Sequence, residues 1–129
     1  MFYAAFEAPI HHGALVVSAG DDSAELSEWD PASRAYFRDS QSLIFAVQNA
    51  VDGKVRCEIW KQLPPDGLRQ AHCVARESME FSSGWRVWDP DGLVEVRLRP
   101  ERGARQLSIF VDDREWPENV QIVLEGQAS

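Results

Sequence analysis

Short runs of alternating apolar and polar residues, broken by turn-forming residues, set the pattern of this chain. Ala14 to Ser18 is β-branched and apolar and ends in the turn signal Ala19-Gly20-Asp21-Asp22, so it reads as a strand. From Leu43 to Gln48 both faces of the alternation are largely apolar, which predicts a central strand. Val55, Cys57 and Ile59 alternate with Arg56, Glu58 and Trp60, giving one buried and one mostly wet face. Ala71, Cys73 and Ala75 predict an inward-facing set on a further strand that continues towards Met79 and Phe81. A short aromatic strand follows at Gly84 to Trp88, then Leu93 to Leu98, with Val94, Val96 and Leu98 inward. Leu107, Ile109 and Val111 mark the next strand, and Val120, Ile122 and Leu124 the last.

Turns separate these segments: Asn49 to Gly53, Pro64-Pro65-Asp66-Gly67, Asp89-Pro90-Asp91-Gly92 and Pro100 to Gly103. One stretch reads differently. Asp30 is suited to cap a helix and Pro31 to its first position, and Ala32, Ala35, Tyr36 and Phe37 supply an apolar face, so one short helix is expected there. The rhythm predicts a mainly β fold, an antiparallel two-sheet β-sandwich or barrel-like form with one short helix. It spans residues 1–129 as one domain, with 126–129 as a frayed tail.

Composition adds little to the fold but much to the function. At 129 residues, 44% hydrophobic and 26% charged, the chain is long enough to bury a core without staples. Asp and Glu number 21 against 13 Lys and Arg, a formal charge of −8. Such a balance repels nucleic acid and anionic membranes and attracts basic partners. No run approaches the roughly 18 apolar residues of a membrane span, and Met1-Phe2-Tyr3 lacks the flank of a signal peptide. A cytoplasmic protein is expected by default. The two cysteines, Cys57 and Cys73, read as buried thiols, with one bridge open to them only if their strands are neighbours.

No catalytic set assembles. His11 and His12 point to opposite faces of an extended chain, and neither they nor His72 stand at a zinc spacing. The serines lack an elbow motif and the glycines sit singly. Asp89 to Gly92 resembles a calcium loop without its remaining ligands, and turn chemistry explains it as well. No cofactor and no resident metal is expected.

The sharpest signal is two acidic stretches that each hold a tryptophan. Asp21, Asp22, Glu25, Glu28 and Asp30 surround Trp29, and Asp112, Asp113 and Glu115 precede Trp116. If the two converge on one face, they suit a basic protein whose groove was built for phosphates, with Trp29 and Trp116 as anchors. The second reading is a β-sandwich that binds a carbohydrate, small ligand or calcium, with Trp60, Trp85 and Trp88 stacking on it; Trp60 falls on the polar side of its strand, and Trp85 and Trp88 lie on opposite faces of theirs. A third is an enzyme in which His11, His12 or His72 meets a carboxylate in a cleft.

From about Leu15 to about Asp112 the chain resembles the bacterial competence protein J family. The resemblance lies in the order of blocks: the opening strand, the polar loop ending in Trp29-Asp30, the short helix carrying Tyr36, Leu43 to Val47, the strand to Trp60, and the paired strands Val94 to Leu98 and Leu107 to Val111. The Trp-rich Gly84 to Trp88 segment and the Pro64-Pro65 loop depart from it. The resemblance implies a nuclease inhibitor or immunity-like protein that is not itself an enzyme.

Overall fold

The computed structural model describes residues 1–20, 29–30, 35–39, 41–81, 84–99 and 101–127. Its strands are β1 (Phe2–Ala8), β2 (Ala14–Ser18), β3 (Tyr36–Arg38), β4 (Ser42–Ala46), β5 (Val55–Lys61), β6 (His72–Phe81), β7 (Arg86–Trp88), β8 (Glu95–Arg97), β9 (Gly103–Val111) and β10 (Asn119–Gln127). They form two five-stranded sheets, ordered β1-β5-β10-β9-β6 and β3-β4-β2-β7-β8, with no closed barrel. Every pairing is antiparallel except β5 with β10, which run parallel. The expected mainly β, two-sheet architecture is borne out, with one parallel pairing that makes the first sheet mixed.

The inner faces meet as the alternation predicts. Leu15, Val17, Leu43, Phe45 and Val87 of the second sheet pack in one cluster with Val55, Cys57, Ile59, Leu107, Ile109, Val111, Val120, Ile122 and Leu124 of the first. Burial of these apolar groups is the main stabilising term. Beside it sits Trp85, 1% exposed and edge-on to Phe81 with ring centroids 5.8 Å apart. The outer face of β2 and β4 is also closed to water: Ala14, Val16 and Ile44 are buried beneath Trp29, Phe37 and Trp88. Between them the Ser18 and Ser42 hydroxyls lie 2.9 Å apart, and the Trp88 indole N–H donates to Ser18 Oγ at 2.9 Å.

The expected helix from Asp30 is not there as read. Residues 31–34 lie outside the described residues, but Tyr36 and Phe37 belong to β3, paired with Phe45 and Ile44 of β4. Tyr36 packs on the core and Phe37 on the outer cluster, so their side chains alternate with period two. The described helical structure is a single 3₁₀ turn, Ala50–Asp52, capped by Asn49, whose side-chain oxygen accepts from Val51 N.

Other departures have identifiable causes. Register shifts between Cys73 and Ala75, where β6 pairs with β9, and the bulge reverses the inward and outward phase. Ala75 stays in the core, while Cys73 packs on the outer face with Trp60, Phe110 and Val123. Cys73 is therefore not inward-facing. Its strand and that of Cys57 occupy non-adjacent places in the sheet, and both thiols are free.

Trp60 does lie on the outer face of β5, yet it is 7% exposed. Phe2 covers it edge-on at 5.4 Å, and its indole N–H donates to Glu58 Oε1 at 3.0 Å. The 62–71 connection is tied to the same face by Gln121, which donates to Leu68 O at 2.7 Å and accepts from Gln70 N at 2.8 Å. β10 itself runs to Gln127, into the stretch read as a frayed tail.

Candidate functional site: the β9–β10 loop and its neighbours

The loop that joins β9 to β10 carries Asp112, Asp113, Glu115 and Trp116, the second of the two acidic stretches. Its shape follows from the chemistry of aspartate beside free backbone N–H groups. Asp112 Oδ1 accepts from Glu118 N at 3.0 Å and Asn119 N at 3.1 Å, and Oδ2 accepts from the Asn119 side chain at 2.9 Å. Asp113 Oδ1 accepts from Glu115 N at 2.8 Å and Trp116 N at 3.0 Å. Two more bonds fix the loop's far end: Pro117 O accepts from Gln48 N at 2.8 Å, and Glu118 O accepts from Arg56 N at 2.9 Å.

Asp112 is therefore a structural clamp. Burial alone would raise its pKa, but the hydrogen bonds from Asn119 and Glu118 outweigh burial and hold the carboxyl below its ordinary value. Asp113 is exposed and shapes the turn that presents Trp116.

Trp116 is 59% exposed. It borders a cavity of about 390 Å³ shared with Ala35, Ala46, Val74, Arg114, Glu115 and Pro117. Ala46 is the cross-strand partner of Ala14, and Ala14 belongs to the cluster that packs under Trp29. Directly opposed residues place their Cβ atoms only about 5 Å apart, so the wall of the Trp116 cavity at Ala46 lies beside the cluster under Trp29. Trp29 is half-buried, whereas Trp116 is open to solvent. Asp21, Asp22, Glu25 and Glu28 lie outside the described residues.

Four carboxylates away from this loop are matched: Glu58 with Arg56 at 3.2 Å, Glu77 with Arg38 at 3.4 Å, Glu101 with Lys61 at 2.7 Å and Glu95 with Arg97 at 2.7 Å. Among the described residues, no cation lies in ion-pair range of Asp113, Glu115 or Glu118, all exposed. The loop 112–118 holds four carboxylates against the single cation Arg114.

Beside this loop lies a cluster that sequence reasoning missed. The Tyr36 hydroxyl donates to Glu77 Oε2 at 3.0 Å, and Arg38 Nη1 donates to Ser78 O at 2.7 Å. These bonds join edge strand β3 of one sheet to edge strand β6 of the other. No spacing in the chain signals the contact, because Tyr36 and Glu77 are 41 positions apart. Burial first, then the Glu77 hydrogen bond and charge, push the Tyr36 pKa above its ordinary value.

The groups expected for the other readings are placed less favourably. Trp60 and Trp85 are buried and offer no stacking surface, and Trp88 is half-buried under Arg86, 4.9 Å from its ring centroid. His12 meets Asp91 at 2.7 Å on the exposed surface, and His11 is exposed. Among the described residues, no three His, Cys, Asp or Glu side chains are gathered to hold a metal ion. No helix among them is long and apolar enough to cross a membrane.

No family model and no curated protein sequence matches the chain. Its fold is similar to a crystal structure described as ComJ, inhibitor of the DNA degrading activity of NucA, from Bacillus subtilis. The TM-score is 0.76 over 98% of this chain and 97% of that one, at 11% sequence identity. The likeness is one of fold, and it extends over essentially the whole of both chains.

Proposed function

We propose that this chain is a protein inhibitor of a nuclease, and that it meets a basic surface of its target through the β9–β10 loop. The observation that carries the reading is the pairing of an open Trp116 with carboxylates that no described cation neutralises. An exposed aromatic within a rigid, charged loop has the make-up of an interface anchor. Unpaired acids attract a cationic site over a distance and can occupy the place of phosphates within it. The fold shared with an inhibitor of a DNA-degrading activity supports the same reading. Asp113, Glu115 and Trp116 are the contact residues, with Trp29 and the 21–28 acidic stretch adding to the surface. Asp112 acts through the loop it holds.

The test is a titration of a basic, DNA-degrading nuclease with the purified protein, reading DNA cleavage. Cleavage falls stoichiometrically, and the inhibition weakens as salt rises because the exposed charges are screened. Trp116→Ala weakens inhibition by about 2 kcal/mol or more while leaving stability within about 0.5 kcal/mol. Undiminished inhibition by the combined Asp113→Lys, Glu115→Lys and Trp116→Ala variant would remove this loop from the interface.

A further inference from the structure

A second cavity, of about 440 Å³, lies along the seam between β3 and β6 and is lined by Ala35, Tyr36, Phe37, Arg38 and Glu77. Ala35 is also a wall of the Trp116 cavity. The two hollows therefore adjoin, and together they make a groove from the β9–β10 loop to the Tyr36–Glu77 contact. Each is within the size range of ligand pockets.

The two ends differ in charge. At the Tyr36 end, Glu77 is already matched by Arg38 and by the tyrosine hydroxyl, so this end offers hydrogen-bonding groups without net charge. At the other end the walls are the apolar Ala46, Val74 and Pro117 with Trp116, and the rim carries Glu115 and Arg114, with Asp113 and Glu118 nearby in a loop whose four carboxylates outnumber that single cation. An apolar hollow with an indole wall and an acidic rim fits the long side chain of Arg or Lys. The aliphatic stem packs on the alanines and tryptophan, and the cation reaches the ring face and the carboxylates. The groove is bordered by two edge strands, which gives it the elongated form of a site for extended peptide.

We propose that this groove is the docking site for an extended, cationic segment of a partner protein, with one basic side chain seated against Trp116. The proposal rests on the inhibitor reading for the partner's identity, and it goes further by naming the shape and chemistry of what is held.

The experiment uses two short capped peptides, one with alternating Gly and Arg and one with alternating Gly and Glu, titrated into the isotopically labelled full-length protein and followed by NMR. The expected result is that the Arg peptide shifts the signals of Ala35, Ala46, Val74 and the Trp116 indole and the Glu peptide does not. Ala35→Trp, at an exposed position common to both hollows, and Glu115→Lys, on the rim, each weaken the Arg peptide by about tenfold. Asp66→Lys, in the 62–71 connection, leaves it unchanged. Equal response to both peptides, shifts mapping elsewhere, self-association through this groove, or no shift at millimolar peptide would overturn the proposal. The two readings also separate from each other. A folded Ala35→Trp variant that inhibits a nuclease as well as its parent removes the groove and keeps the inhibitor. Arg-peptide binding in the groove by a protein that inhibits no nuclease does the reverse.

Discussion

Asp112 and Asn119 close the β9–β10 loop on itself: the aspartate carboxylate accepts both the backbone N–H and the side-chain amide of Asn119, at 3.1 and 2.9 Å. One of the residues that sequence reasoning placed at a partner surface thus holds the β9–β10 loop in shape. Asp112→Ala is expected to destabilise the protein by about 1–3 kcal/mol in urea unfolding, the usual loss when donors of a charge-assisted network are left unmatched. The folded-state pKa of Asp112 is depressed, so its ionised form stabilises the fold above the ordinary carboxylate pKa of about 3.9. That contribution is lost as pH falls through this value towards the lower folded one. Asp112→Asn keeps an acceptor oxygen but removes the titration, so its stability loss relative to the parent shrinks in acid. A loss independent of pH would show that the charge is not what the loop uses.

Gln121 does on the outer face of the first sheet what Asp112 does at its end. It is 1% exposed and joins Glu58, Leu68 and Gln70. Gln121→Ala leaves the Leu68 carbonyl and the Gln70 N–H without their partner, at a cost of about 1–3 kcal/mol. Amide hydrogen exchange of the 62–71 connection should accelerate well before that of β9 and β10. Uniform acceleration of all strands would mean that the connection is not held separately.

Tyr36 gives an alkaline counterpart. Its pKa is raised in the fold by burial and by Glu77, so the neutral phenol is favoured over the phenolate. The corresponding stability is present below the ordinary tyrosine value of about 10 and is lost as pH rises through it towards the folded value. Tyr36→Phe flattens that alkaline decline. Absorbance titration checks the assignment directly, since the chain has two tyrosines and the variant retains only Tyr3.

The two thiols should differ in reactivity. Complete burial, with Glu58 adding to it, pushes the Cys57 pKa far above its ordinary value, so the reactive thiolate is suppressed. Cys73 is half-buried on the outer face. A Cys73→Ser variant is expected to show no reaction with a thiol reagent until it is unfolded. Rapid modification of that variant in its native state would contradict the packing of β5.

Much of the fold was legible because the side-chain period is decided locally. β2, β4, β5, β9 and β10 appear where alternation placed them, and Val55, Cys57 and Ile59 face inward as read. The failures arise where a neighbour overrides the local pattern. Asp30-Pro31 and Ala35-Tyr36 are good helix chemistry, but pairing with Phe45 and Ile44 makes Tyr36 and Phe37 a strand. A one-residue bulge reversed the facing of Cys73, and no sequence signal marks it. β1 went unread because Ala4, Ala5 and Ala8 blur its alternation. Trp60 was assigned to the correct face but the wrong environment, since Phe2 and the loop secured by Gln121 cover that face. At the candidate site, the acidity of 112–118 and the prominence of Trp116 were legible. The clamp roles of Asp112 and Asp113 and the Tyr36–Glu77 contact depend on groups brought together only by the tertiary structure.

The parallel partnership of β5 with β10 sets an order of events for the growing chain. Glu58 and Gln121, joined by a 3.0 Å hydrogen bond across that pair, are 63 residues apart. Until β10 emerges, after the other described strands, β1 and β5 have only each other as partners in their sheet and form at most a two-stranded ribbon with one edge of β5 unpaired. Such a ribbon is marginal in water, and distant pairings slow assembly. The first sheet is therefore completed in a late step, and conditions that delay the docking of β10 prolong the interval in which the chain is open to misassembly.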